Sequence, residues 1–214
     1  MTTRQAVPHP LPLRRALSLL CAVLATLLPA VAAAQTPPLV SVNTNRVDGR
    51  AEFDVRAEAY ARTDIARAWK VLTAYDRLAE FVPNLQSSRE LPFPDAAPNE
   101  HLVEQHGYGK FLFIRQPIDL VLRVQEQPSS AIDMSLQSGN MRKYHARWEL
   151  EPRDVAGGPG VLLRYTGLIA PDFYVPGLFG GVLMRRDLTA MLEAVVREME
   201  KPADAAPPPL QSEK

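Results

Sequence analysis

One cysteine, Cys21, stands in 214 residues, and basic and acidic side chains are equal in number at 24 each. A lone thiol excludes a disulfide framework within the chain and any cluster of thiolate metal ligands. The balanced charge leaves no positive excess for a polyanion, so no nucleic-acid partner is expected. A Gly-x-Ser-x-Gly elbow is missing, which removes the usual signature of a nucleophilic hydrolase. The glycine-rich "GLFGG" at 177–181 lacks the lysine and the following Ser or Thr of a phosphate-cradling loop. No His, Asp or Glu cluster has the spacing of a zinc or iron site. From these absences we expect no metal, no cofactor and no recognisable catalytic set.

What is present begins with a leader. An acid-free, basic start ends in Arg14 and Arg15, and "ALSLLCAVLATLLPAVAAA" follows as an apolar run closing on small residues. This is the pattern of a secretory signal peptide over 1–34, with cleavage expected after Ala34 and a periplasmic location for the remainder. The alternative is an uncleaved anchor, for which the run is short and is interrupted by Pro29. Leu20 stands where lipid attachment at Cys21 would need a small residue. Cleavage would remove the only cysteine and leave 21 basic against 24 acidic residues, a mildly acidic domain without thiols.

The rest divides by composition. Residues 35–50 read as a polar, flexible lead-in and 202–214 as a disordered Pro/Ala-rich tail, which leaves 51–201 as one folded domain. "AEFDVRAEAY" alternates Phe53, Val55, Ala57 and Ala59 with charged residues, the period of a half-buried strand. Thr63-Asp64 caps a helix whose apolar positions are Ile65, Ala68, Trp69 and Leu72, and a further helical stretch stops at Pro83. Strands then follow one another, with dry faces built from Ile118, Leu120, Leu122 and Val124, from Ile132, Met134 and Leu136, from Tyr144, Ala146, Trp148 and Leu150, and from Val161, Leu163 and Tyr165. A helix from about 179 to 201 ends the domain, its apolar stripe made by Leu188, Met191, Leu192, Val195 and Met199. The layout is α+β: an antiparallel sheet whose dry face must be covered by that last helix.

The segments "ARTDIARAWKVLTAYDRLAEFVPNLQSSREL" and "GLIAPDFYVPGLFGGVLMRRDLTAMLEAVVREME" resemble the START-like, or SRPBCC, helix-grip superfamily. The nearest branch is that of polyketide cyclases/dehydrases and coenzyme Q-binding proteins. The resemblance covers about 52–200 and rests on structural positions, among them Trp69, Leu72, Tyr75, Phe81, Pro83, Gly167, Pro176, Leu188 and Leu192. It implies a helix-grip fold, in which a curved antiparallel sheet wraps around the long C-terminal helix, with short helices after the first strand. It also implies an apolar cavity between sheet and helix. It implies no reaction, because one fold hosts many activities.

On that fold, Leu122, Met134, Tyr144, Tyr165 and Leu188 are expected to line the cavity. The stretch before the last helix is expected to border its mouth through Phe173, Tyr174, Leu178, Phe179 and Leu183, and to touch a membrane transiently during loading. Glu104, His106 and Tyr108 fall at alternate positions of one strand. They form either a polar handle inside the cavity, if Gly107 and Gly109 seat a bulge, or an ordinary solvent face. Three functions remain open: a carrier or sensor for a lipid, quinone or polyketide-like molecule, a cyclase/dehydratase-type enzyme using the same cavity, and an envelope protein-interaction module whose protein partner the sequence does not name.

Overall fold

A computed structural model describes residues 36–111, 114–154, 158–175 and 179–202. The expected leader, and the tail beyond its first residue, lie outside them. The described elements are β1 (Leu39–Val47), β2 (Arg50–Ala61), α1 (Ile65–Leu72), a 3₁₀ helix (Tyr75–Glu80), β3 (Leu85–Leu91), β4 (Glu100–Phe111), β5 (Ile114–Gln127), β6 (Ala131–Gly139), β7 (Met141–Pro152), β8 (Val161–Pro171) and α2 (Gly180–Glu200). The strands form one sheet in the order β1-β2-β8-β7-β6-β5-β4-β3, each pair antiparallel. From β3 to β8 the chain meanders, and β2 closes onto β8. This is the helix-grip α+β fold, with the curved sheet holding α2. Register shifts in β3, β6 and β7 help to bend it.

Local chemistry places the elements. Asp64 caps α1, its carboxylate accepting from the Arg67 N–H at 2.8 Å. Helix α1 buries Ala68, Val71 and Leu72. Arg67 then reaches the far end of α2 and donates to the carbonyls of Met199 (3.2 Å) and Glu198 (3.3 Å), where a cation suits the exposed carbonyl end of a helix. At the other end of α2, a Cβ on Gly180 would lie 2.8 Å from Val175 Cγ1 and 3.1 Å from Phe53 Cζ. Only glycine lets the first turn sit this close to β2. The inward phases of β5, β6, β7 and β8 read from the sequence are the ones that face α2, and Leu188, Leu192, Val195 and Met199 of the helix are buried against them.

One expectation is corrected. Residues 39–47, read as part of a flexible lead-in, form the edge strand β1, paired with β2 from Leu39↔Glu58 to Val47↔Arg50. Val40 and Val42 pack against the core. The stretch is too polar to declare itself alone, and the free edge of β2 supplies the backbone partners that order it. Among the described residues no helix is long and apolar enough to cross a membrane.

Candidate functional site

The sheet and α2 do not close on each other along their whole length. Between the N-terminal half of α2 and the sheet lies an outer chamber of about 230 Å³, and deeper lies an inner one of about 120 Å³. Val82, Leu85, Gln105, Tyr144 and Met191 wall both chambers, so they adjoin. The helix supplies Leu183, Met184, Asp187, Leu188 and Met191 to the outer chamber, while Phe53, Ile118, Leu120, Met141 and Ile169 come from the sheet. The inner chamber is bounded by Leu72, Tyr75 and Leu78 from the short helices and by Leu122, Val124, Ile132, Met134, Trp148 and Tyr165 from the sheet. Four of the lining side chains, Met134, Met141, Met184 and Met191, are methionines, whose unbranched stems adapt to irregular guests.

Few polar groups enter this space. Tyr144 and Tyr165 share a hydrogen bond between their hydroxyls, and burial pushes both phenols up from their ordinary range. The Tyr165 ring also packs on Trp148, with centroids 4.9 Å apart and planes inclined at 58°. Tyr144 is half-buried and borders both chambers. A phenol can both donate and accept, so its hydroxyl keeps a second valence for a guest while it bonds Tyr165. Tyr75 is engaged elsewhere: its hydroxyl donates to Glu126 Oε1 at 2.6 Å, and burial together with that carboxylate pushes its phenol far up. His101 adjoins this pair, with Nδ1 2.7 Å from Glu90 Oε1 and its ring tilted on Tyr75. Asp187 borders the outer chamber, and burial raises its carboxyl against the pull of Arg186 and Lys110.

The residues singled out from sequence divide. Leu122, Met134 and Tyr165 border the inner chamber, Phe173, Leu183 and Leu188 the outer, and Tyr144 both. Tyr174 and Phe179 stand clear of the void, 80% and 51% exposed, and Leu178 lies outside the described residues. Both exposed rings flank lining positions, since their chain neighbours Phe173, Val175 and Gly180 face the chamber.

Of the two readings of the polar trio, the solvent face is the one that Glu104 and His106 occupy. The β4–β5 ladder runs without a shift from Glu100↔Gln125 to Phe111↔Ile114, so Gly107 and Gly109 seat no bulge there. Glu104 and His106 therefore stay on the outer face. Glu104 pairs with Arg89 at 2.6 Å, and His106 with Asp119 at 2.8 Å and Glu104 at 3.3 Å. Those carboxylates raise the imidazole, while Arg89 and His106 lower the Glu104 carboxyl. Tyr108 borders the outer chamber, its ring beneath Lys110 and Arg115 at 5.5 and 4.9 Å. Gly107 serves a close approach instead, because a Cβ there would fall 2.6 Å from the Asn84 carbonyl.

Sequence reasoning missed Gln105, which lies between Glu104 and His106 and faces the void from the opposite phase. It also missed Asp187, whose signal was legible: an acid at i+3 from Met184 and i−4 from Met191, inside the apolar stripe.

The comparisons agree with this geometry. No curated protein sequence matches the chain. A START superfamily protein from Mycobacterium smegmatis is similar in structure (TM-score 0.56, 17% identity, 69% of this chain and 97% of that one). So is the Zhui aromatase/cyclase from Streptomyces sp. R1128 (0.54, 14%, 70% and 94%). A STAR-related lipid transfer protein from Xanthomonas axonopodis gives 0.51 and 13% identity over 75% of this chain and 98% of that one. At these identities the likeness establishes the fold alone. The sequence model described as polyketide cyclase / dehydrase and lipid transport matches residues 63–196, well over half of the chain, and the chain belongs to that family.

Proposed function

We propose that this protein is exported to the periplasm and there encloses an apolar small molecule, of lipid, quinone or polyketide type, as a carrier or sensor. The observation that carries this reading is the pair of adjoining chambers under α2, lined almost wholly by carbon and bounded by few polar groups. Native mass spectrometry of protein purified from its own periplasm tests it. A retained apolar molecule is expected; an empty protein whose melting temperature no apolar ligand shifts would end the reading. Loading through transient membrane contact fits the exposed Tyr174, Phe179 and Val182 beside the outer chamber, and co-sedimentation with vesicles checks it.

A cyclase/dehydratase-type reaction in the same cavity is the second reading, favoured by the Tyr144–Tyr165 hydroxyl pair inside an apolar chamber. Tyr144 would act as proton donor to a carbonyl oxygen of the bound chain. Turnover of a linear polyketide should then vanish in Tyr144→Phe while binding persists; equal loss of both would leave a binding role only. His106 has no part in this version, since it lies on the outer face. An interaction-module role needs no void and draws no support from one.

A further inference from the structure

Asp187 is out of keeping with its surroundings. Leu183, Met184, Leu188 and Met191 share its side of α2, all bordering the outer chamber, and Asp187 is the only charged residue among the described residues of either lining. A carboxylate in an apolar wall normally carries a paired cation or several N–H donors. Among the described residues Asp187 has neither hydrogen bond nor ion pair. Arg186 and Lys110 are the charges that act on it, one its chain neighbour and the other on β4 with its ammonium over the Tyr108 ring. Gln105 of β4 is an uncharged polar neighbour in the same lining, its amide 3.5 Å from Ser88 Oγ.

The outer chamber thus holds one carboxylate that no protein donor engages among the described residues. We propose that Asp187 reads a hydrogen-bond donor on the guest, a hydroxyl or an amine, so that the chamber selects apolar molecules carrying such a group and rejects those ending in a carboxylate or phosphate. This rests on the ligand-binding reading above. A ligand donor would replace the water that the carboxylate loses on burial, and a charge-assisted bond of that kind is among the stronger neutral-to-ion contacts. A ligand without a donor would leave the carboxylate unpaired, and that asymmetry gives the discrimination.

Three fluorescent probes on one skeleton test the idea: 2-naphthol, its methyl ether and 2-naphthoate, titrated into the full domain. Wild type is expected to prefer the naphthol over the ether by about tenfold and to bind the naphthoate weakest. Asp187→Leu should erase the preference by weakening the naphthol alone. Asp187→Asn, nearly isosteric and thus a guard against misfolding, should reduce the preference and strengthen naphthoate binding. If all three probes bind wild type equally and neither variant changes their order, the assignment of Asp187 is overturned while the cavity reading stands. If none binds, the cavity reading falls and takes this inference with it.

Discussion

The two ends of α2 do different work. Its C-terminal half is clamped, with Leu192, Val195, Val196 and Met199 buried, Arg67 holding the carbonyls of Glu198 and Met199, and Glu200 accepting the Arg62 N–H at 2.8 Å. Its N-terminal half faces the outer chamber, has no side-chain cap at Phe179, and exposes Phe179 and Val182. One helix therefore serves mainly as core at one end, where Val195 also borders the inner chamber, and as the wall of the outer chamber at the other. The clamped end can hold the fold together so that the hollow end need not, because apolar contact given up around a void has to be made up elsewhere.

That contrast can be broken most severely at the clamped end. Leu192→Ala should destabilise the domain by about 3 kcal/mol in denaturant unfolding, whereas Met184→Ala, already beside a void, should cost less than about 1 kcal/mol. A comparable loss at both sites would mean that the helix is uniformly packed. In the hollow half, Leu183→Trp should fill the outer chamber and weaken 2-naphthol binding by at least about tenfold with little change in melting temperature. Unaltered binding would place the guest elsewhere. Arg67→Ala, which frees the last carbonyls of α2, should cost about 1 kcal/mol and raise amide exchange there without touching probe affinity.

Smaller effects follow from titration. The Asp187 carboxyl is raised by burial, so the folded state holds its proton to higher pH than the unfolded chain. Stability linked to it is full at acidic pH and falls as pH rises from the ordinary aspartate range through the raised value. Asp187→Asn should therefore melt above wild type at neutral and alkaline pH, and the gap should close in acid. A gap independent of pH would remove the carboxyl as its cause. His106 is raised by Asp119 and Glu104, so its ion pairs stabilise below the ordinary imidazole range and fade as pH climbs through its raised value. On an exposed surface the effect is small: His106→Ala should lower the melting temperature slightly at about pH 5.5, not at about pH 8.5, and should leave probe binding intact at both.

Particular residues show how far the sequence could be read. The dry phases of β5 to β8, the Asp64 cap and the apolar stripe of α2 were legible because each is a local period or a local hydrogen bond. The family was legible in the "FVPNL" segment and in the final helix for the same reason. The placement of Glu104 and His106 was not, since it turned on whether two glycines made a bulge, and only the unbroken β4–β5 register decided it. β1 was equally hidden, because the open edge of β2 orders it.

By itself, then, the sequence determined an α+β grip and the faces of its strands, since side-chain periodicity follows from backbone geometry alone. The tertiary structure decided that Leu192 is core while its neighbour Met191 walls a void, that Gln105 rather than His106 faces inward, and that Asp187 borders an apolar chamber. A void belongs to two facing surfaces at once, and no single segment carries the distance between them.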